Sequence, residues 1–216
     1  SQVTGKSISI IGDVEDTGGA GAAGDDLVVT ADGITIDLSG LAIDSATFSD
    51  TTINLNGVST LAVNITGSNI ADNLSNTGSG NITIDGAGGV DTIVTGSGDD
   101  TITGDSNVNS IDGNNGNDEI DGNGGADTIN GNLGDDTITG HNSGAILDGG
   151  TGSETNGDTI SYETLTTAQN IDLSDTLNHD QNNNDTLTNF ENIIGSLRDD
   201  TLKGDTGVNT IEGNSG

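Results

Sequence analysis

The sequence predicts an all-β solenoid of short stacked rungs. From Gly86 onward a nine-residue period places Ile at the eighth position of six consecutive units. In five of those six, Asp stands two places before the Ile, with Asn109 as the sixth. Aromatic residues are 1% of the chain, too few to fill an ordinary globular core. A period of this kind is the signature of a repeat architecture, in which each unit buries its apolar face only against its neighbours.

The first two units run Gly86-Ala87-Gly88-Gly89-Val90-Asp91-Thr92-Ile93-Val94 and Thr95-Gly96-Ser97-Gly98-Asp99-Asp100-Thr101-Ile102-Thr103. Asn109 with Ile111, Asp118 with Ile120, Asp127 with Ile129 and Asp136 with Ile138 continue the register. Within a unit, Gly, Asn and Asp make a turn because they tolerate positive φ. A three-residue strand follows, whose central Ile points inward because side chains alternate along a strand. Two units back to back make one rung of 18 residues, and stacked rungs bury a continuous aliphatic ladder.

These units resemble the RTX (haemolysin-type calcium-binding) repeat, G-G-x-G-x-D-x-U-x with U a large aliphatic. The resemblance covers residues 86–139 and returns at Gly195 to Lys203 and at Gly204 to Glu212, where Asn209 replaces Asp. Gly149 to Ile160 resembles one more unit carrying a four-residue insertion. The unit from Gly140 is degenerate, with Ala145 at the Asp position and Leu147 at the core position. The resemblance implies a right-handed parallel β-roll with Ca2+ held between turns stacked on the same edge. Carried across, one edge holds Asp91, Asn109 and Asp127, and the other Asp100, Asp118 and Asp136. Asp158, Asp200 and Asn209 belong to the later units, and Asp26, Asp72 and Asp185 are weaker members. Turns beside Asn109, Asn209 and Ala145 are expected to be weak, shared or empty. Turn carbonyls and carboxylates together offer the roughly six to eight hard oxygens that Ca2+ prefers.

The remaining segments are read around this roll. Gly67 to Ser75 keeps Asp72 and Leu74 in register, and Gly21 to Val29 keeps Asp26 and Val28. Residues 1–66 are expected to form irregular β-solenoid rungs, with a separate small β-domain as the competing organisation. The roll proper spans 67–160. Residues 161–194 are an irregular insert or cap, with a strand near Ile171 and Leu173 and a loop from Asp180 to Asp185. A second, truncated repeat block follows at 195–216. The chain reads as an excerpt of a longer, or processed, protein.

Composition excludes several functions. With 35 acidic and three basic residues the net charge is −32, which repels phosphate and argues against nucleic-acid binding. No apolar run approaches a membrane span, so no direct membrane insertion is expected. Without Cys there is no thiol nucleophile or thiolate metal site. The 23 Ile, 14 Leu, 10 Val and 2 Phe amount to about 23% of the 216 residues, just above the roughly 20% at which highly charged chains stay disordered. Of the acids, 29 are Asp and 6 are Glu; a merely solvated acidic surface has no reason to avoid Glu, whereas tight turns favour the shorter side chain.

No catalytic constellation is present, so the chain is not read as an enzyme. His141 and His179 read as surface decoration, and Asp44 and Asp50 as turn residues. The extra Asp at position five (Asp99, Asp135 and Asp199) reads as solvent-facing charge. An ice-binding Thr array built on Thr101, Thr103, Thr137 and Thr139 is interrupted by Glu119 and Asp121.

Three functions remain open: a calcium-dependent structural segment of a surface layer, filament or matrix; an adhesin or biofilm extender; and a calcium-folded carrier module of a secreted enzyme. The expected partners are calcium ions, further copies or neighbouring repeats in a lattice or filament, and a glycan or lipopolysaccharide bridged by calcium. The resemblance also implies a secreted, cell-surface location reached through a type I channel, with folding completed outside.

Overall fold

The computed structural model describes residues 63–141, 143–152, 154–175 and 185–215, together with the backbone of three strands at 26–28, 35–37 and 51–55. Two long parallel sheets face each other. One comprises β1 (Asp26–Val28), β3 (Thr51–Leu55), β5 (Asp72–Asn76), β7 (Thr92–Val94), β9 (Ser110–Asp112), β11 (Thr128–Asn132), β13 (Ile146–Gly150) and β16 (Thr186–Thr188), in that order. The other runs from β2 (Thr35–Asp37) through β4 (Val63–Thr66), β6 (Ile82–Asp85), β8 (Thr101–Thr103), β10 (Glu119–Asp121), β12 (Thr137–Thr139), β14 (Thr159–Ser161) and β17 (Asn192–Ile194) to β19 (Thr210–Glu212). Up to β14 successive strands therefore alternate between the two sheets, and every pairing among the described strands is parallel, as a solenoid requires. No helix occurs among the described residues.

Register follows the nonapeptide. In the first sheet Leu74, Ile93, Ile111, Ile129, Leu147 and Leu187 are successive partners. In the second, Ile65, Ile84, Ile102, Ile120, Ile138, Ile160 and Ile193 are. All these side chains are buried. The core is thus two facing columns of aliphatic residues, one residue deep, with the flanking strand positions turned outward.

The regular rise is interrupted once. Leu147 is followed in its column by Leu187 and Ile160 by Ile193, so the chain makes a long excursion before the rungs resume. Within it, β15 (Asn170–Asp172) pairs with β18 (Thr201–Lys203) in a small third sheet, placing the predicted strand at Ile171. Tyr162, the only tyrosine of the chain, is fully buried there, and its ring fills the space beside Gly140 where a Cβ would stand.

Candidate metal centre

The residue at position six lies immediately before, or at the start of, each strand, so the turns stack these residues in two rows. Asp72, Asp91, Asn109, Asp127, Ala145 and Asp185 line the edge leading into the first sheet. Asp100, Asp118, Asp136, Asp158, Glu191 and Asn209 line the edge leading into the second. Asp200 precedes β18 of the small sheet. Asp26 falls in β1, but its side chain lies outside the described residues, as do Asp44, Asp50, His179 and residues 180–184.

Each in-register carboxylate divides its two oxygens. Oδ1 accepts the backbone N–H of the position-six residue one rung back: Asp72 donates to Asp91 at 2.9 Å, Asp100 to Asp118 at 2.8 Å, Asn109 to Asp127 at 2.8 Å, Asp118 to Asp136 at 2.8 Å and Asp136 to Asp158 at 2.7 Å. Ile82 does the same to Asp100, Ala145 to Asp185, and Gln169 to Asp200. The second oxygen is different. Oδ2 of Asp91, Asp100, Asp118, Asp136 and Asp158 is buried with no hydrogen-bond partner. Glycine at position one makes room in four of these five turns, Thr95 standing there before Asp100: a Cβ on Gly86 would lie 2.6 Å from Asp91 Oδ2, and the corresponding oxygens of Asp118, Asp127 and Asp136 block a Cβ at Gly113, Gly122 and Gly131.

A buried, unpartnered carboxylate oxygen carries a large desolvation cost. Burial accordingly pushes the carboxyls up, Asp91, Asp127 and Asp136 to about 6, Asp158 to about 7 and Asp118 to about 8. Neighbouring acids add to the shift; for Asp118 these are Asp136, Asp100 and Asp99. Rungs lie about 4.8 Å apart, where two like charges at an effective dielectric of about 20 repel by roughly 3–4 kcal/mol. The donor set is entirely oxygen, without His or Cys. Such a set fits a hard divalent cation rather than a soft metal, and Ca2+ fits the open Oδ2 positions.

Other turns close themselves. Ser68 donates its N–H to Asp72 Oδ2 at 2.6 Å and its hydroxyl to Asp72 Oδ1 at 2.9 Å. Ser196 does the same to Asp200, at 2.7 Å for both bonds. At Asn109 the amide Nδ2 faces Gly104, where a carboxylate oxygen stands in the other turns, and donates to Asp105 Oδ1 at 3.1 Å and Asn107 O at 3.3 Å. Asn209 Nδ2 donates to Asp205 Oδ1 at 2.8 Å.

Three features go beyond the sequence-based expectation. Asp99 is exposed, as expected, and Asp135 half-buried, and both also accept backbone hydrogen bonds. Asp99 Oδ1 accepts Asn117 N–H at 2.9 Å, while Asp135 Oδ1 accepts the N–H groups of Thr155, Asn156 and Gly157. The turn brings a backbone donor over each of them, which spacing alone does not reveal. His141 is not surface decoration, because its Nε2 lies 2.6 Å from Asp121 Oδ1. Glu191 is the residue that sequence reasoning misses altogether. It occupies the position-six row beyond Asp158, and its signal is an acid two places before the buried Ile193, a Glu where the repeat has Asp.

The family model described as RTX calcium-binding nonapeptide repeat (four copies) matches residues 69–102, 85–120, 103–138, 121–153 and 190–216, more than half of the chain. The chain belongs to the RTX calcium-binding repeat family. No curated protein and no solved structure matches it. Membership implies calcium binding, and the buried Oδ2 atoms of this RTX chain are the oxygens whose chemistry calls for it. Outside the matched stretches lie residues 154–189, including Asp158 and Asp185.

Proposed function

We propose that this chain is a calcium-folded structural segment of a secreted cell-surface protein, of the surface-layer, filament or matrix type. The observation that carries the reading is the set of five buried Oδ2 atoms without partners, four of them in successive rungs of one edge. Asp100, Asp118, Asp136 and Asp158 hold the ions on that edge, with Asp91 and Asp127 on the other. Asp72, Asp200, Asn109 and Asn209, whose turns close on themselves, take little or no part; Asp185 belongs to the later rungs.

A bound Ca2+ supplies the positive charge that a column of ionised carboxylates lacks. The chain supplies the rest: Oδ1 of each Asp pins the rung behind it, glycine leaves room for Oδ2, and the aliphatic column gives a modest apolar drive. Folding and binding are then one event, as in other metal-dependent domains with small cores. Low calcium inside the cell and high calcium outside suit export in an unfolded state, with folding at the surface. Rungs of a folded solenoid also offer surfaces for lateral and end-to-end association into a lattice or filament. The reading assigns no catalytic step to this chain.

The test is a calcium titration followed by circular dichroism in chelator-cleared buffer, with electron microscopy of the loaded protein. The expected result is a disordered spectrum that turns to β on titration, and ordered arrays in the micrographs. A full β spectrum before calcium is added sinks the folding role. Dispersed rods at every calcium concentration favour an extender or a carrier module over a lattice-forming segment.

A further inference from the structure

Glu154, Thr155 and Asn156 of the insertion before Asp158 lie outside the family match, and they are built into the roll rather than loose. Asp135 Oδ1 accepts three consecutive backbone N–H groups from this stretch, those of Thr155, Asn156 and Gly157, at 2.7, 3.0 and 3.1 Å. Asn156 Nδ2 donates to Asp135 Oδ2 at 3.0 Å. From the opposite side Asn192 Nδ2 donates to the carbonyls of Asn156 and Gly157, at 3.1 and 3.0 Å. The insertion is therefore fastened both to the rung before it and to the rung that follows the long excursion.

This fastening brings a third carboxylate to the row. Glu154, Asp158 and Glu191 each place a carboxylate oxygen within 4.8 Å of the others. One oxygen of each is held by a backbone N–H: Gly152 donates to Glu154 Oε1 at 2.7 Å, Asp136 to Asp158 Oδ1 at 2.7 Å, and Asp158 to Glu191 Oε2 at 2.8 Å. Asp158 is fully buried, and its Oδ2 has no partner. Among the described residues no Lys, Arg or His pairs with any of the three: Lys203 is bound to Asp172 and His141 to Asp121. Three carboxylates this close, one of them buried, are not left uncompensated without a large electrostatic cost.

We propose that Glu154 and Glu191 join Asp158, the last in-register Asp of this row, in a cation site filled by Ca2+ that clamps the insertion to the rung resumed after the excursion. Oxygens lying within 4.8 Å of one another are close enough to share one Ca2+ at its usual bond length of about 2.3–2.6 Å. The site differs from the repeat turns in two ways. It draws a ligand from the inserted loop, and it joins Asp158 to Glu191 across the excursion instead of joining neighbouring nonapeptides. Its cation holds the base of that excursion shut, so the later rungs stack in register on the earlier ones. The proposal rests on the calcium-roll reading only in taking the roll itself to be calcium-loaded.

Glu154→Gln in the full chain is the test, because Glu154 is solvent-accessible and lies outside the aliphatic core. Glu163→Gln, an exposed acid in the excursion, is the charge-matched control. Bound calcium is counted by equilibrium dialysis, and hydrogen exchange of residues 152–157 and 186–194 is followed through the titration. The expected variant keeps the calcium-induced β spectrum, binds about one ion fewer or holds it at least about tenfold more weakly, and loses exchange protection at both segments. An unchanged count, affinity and protection in Glu154→Gln overturns the site, as does an equal loss in Glu163→Gln. Failure of the unmodified chain to fold with calcium would overturn the calcium-roll reading instead, and leaves a different signature.

Discussion

Asp118 N–H donates to Asp136 Oδ1 at 2.8 Å, while Asp136 Oδ2, buried in the same turn, accepts nothing. The same division recurs between Asp100 and Asp118 and between Asp136 and Asp158. One oxygen serves the chain and the other is reserved, so the two roles can be separated by substitution.

Asp118→Asn keeps an acceptor for Asp100 N–H but puts an amide where Oδ2 stood. Its calcium midpoint should rise about tenfold or more, with the fully loaded fold retained. Asp118→Ala also strips the acceptor and leaves a buried N–H unpaired, costing about a further 1–3 kcal/mol. Calcium titrations and urea unfolding of both variants check this order. Equal behaviour of the two would mean that Oδ1 contributes nothing.

Asn109→Asp reopens a closed turn. The new carboxylate loses the bonds to Asp105 and Asn107 and stands against the charge of Asp105. At limiting calcium the variant should fold less readily than the parent. At saturating calcium it should bind about one more ion, because a carboxylate then fills the gap in the row between Asp91 and Asp127. Native mass spectrometry counts the ions; identical stoichiometry and midpoint would contradict the closed-turn account.

Acid should partly replace calcium. Asp118 titrates in the folded chain at about 8, Asp158 at about 7, and Asp91, Asp127 and Asp136 at about 6, against about 3.9 when unfolded. Raised folded values mean that the protonated roll is favoured: the contribution is complete below about pH 4 and is lost as pH climbs through about 6 to 8. His141, raised by its bond to Asp121, acts in the same direction. Metal-free protein should thus gain β signal when taken from about pH 8 to about pH 5. A metal-free chain more ordered at the alkaline end of that range would reverse the sign and refute the assignment.

The aliphatic column should be unevenly important. Ile120 is fully buried at its middle, and Ile120→Ala should cost about 2–5 kcal/mol in calcium-loaded protein. Ile211 is 43% exposed, and its truncation should cost about 1 kcal/mol or less. Urea unfolding at fixed free calcium compares them.

Much of this architecture is legible in the period. A buried Ile every nine residues fixes strand spacing, sheet alternation and the two rows of Asp, because a solenoid leaves the chain few other ways to bury one residue per unit. What escapes depends on side-chain contacts inside single turns and on contacts between rungs. Asn109 and Asp118 occupy equivalent places, yet the closed state of the Asn109 turn depends on Asp105 standing four residues earlier. Ser68 and Ser196 cap Asp72 and Asp200 through the same local geometry. Glu191 and Glu154 are obscured because the insertion and the excursion break the count, so their convergence on Asp158 appears only once the chain is stacked. His141 meets Asp121 across 20 residues, a distance at which a degenerate unit gives no cue.

Beside the inner row of aspartates runs a second one, formed by position five. Asn81 accepts from Asp99, Asp99 from Asn117, and Asn117 from Asp135. Amide and acid alternate along it, so its charged members sit two rungs apart, about 9.6 Å. That separation exceeds the roughly 8 Å over which physiological electrolyte damps a surface charge. Ordinary sodium and chloride are enough to keep this outer ladder quiet, whereas the inner one, charged at every step and shut away from solvent, gets no such help. A single edge thus carries two adjacent strings of side chains, one whose charges ordinary salt screens and one whose carboxylates call for a bound cation or a proton.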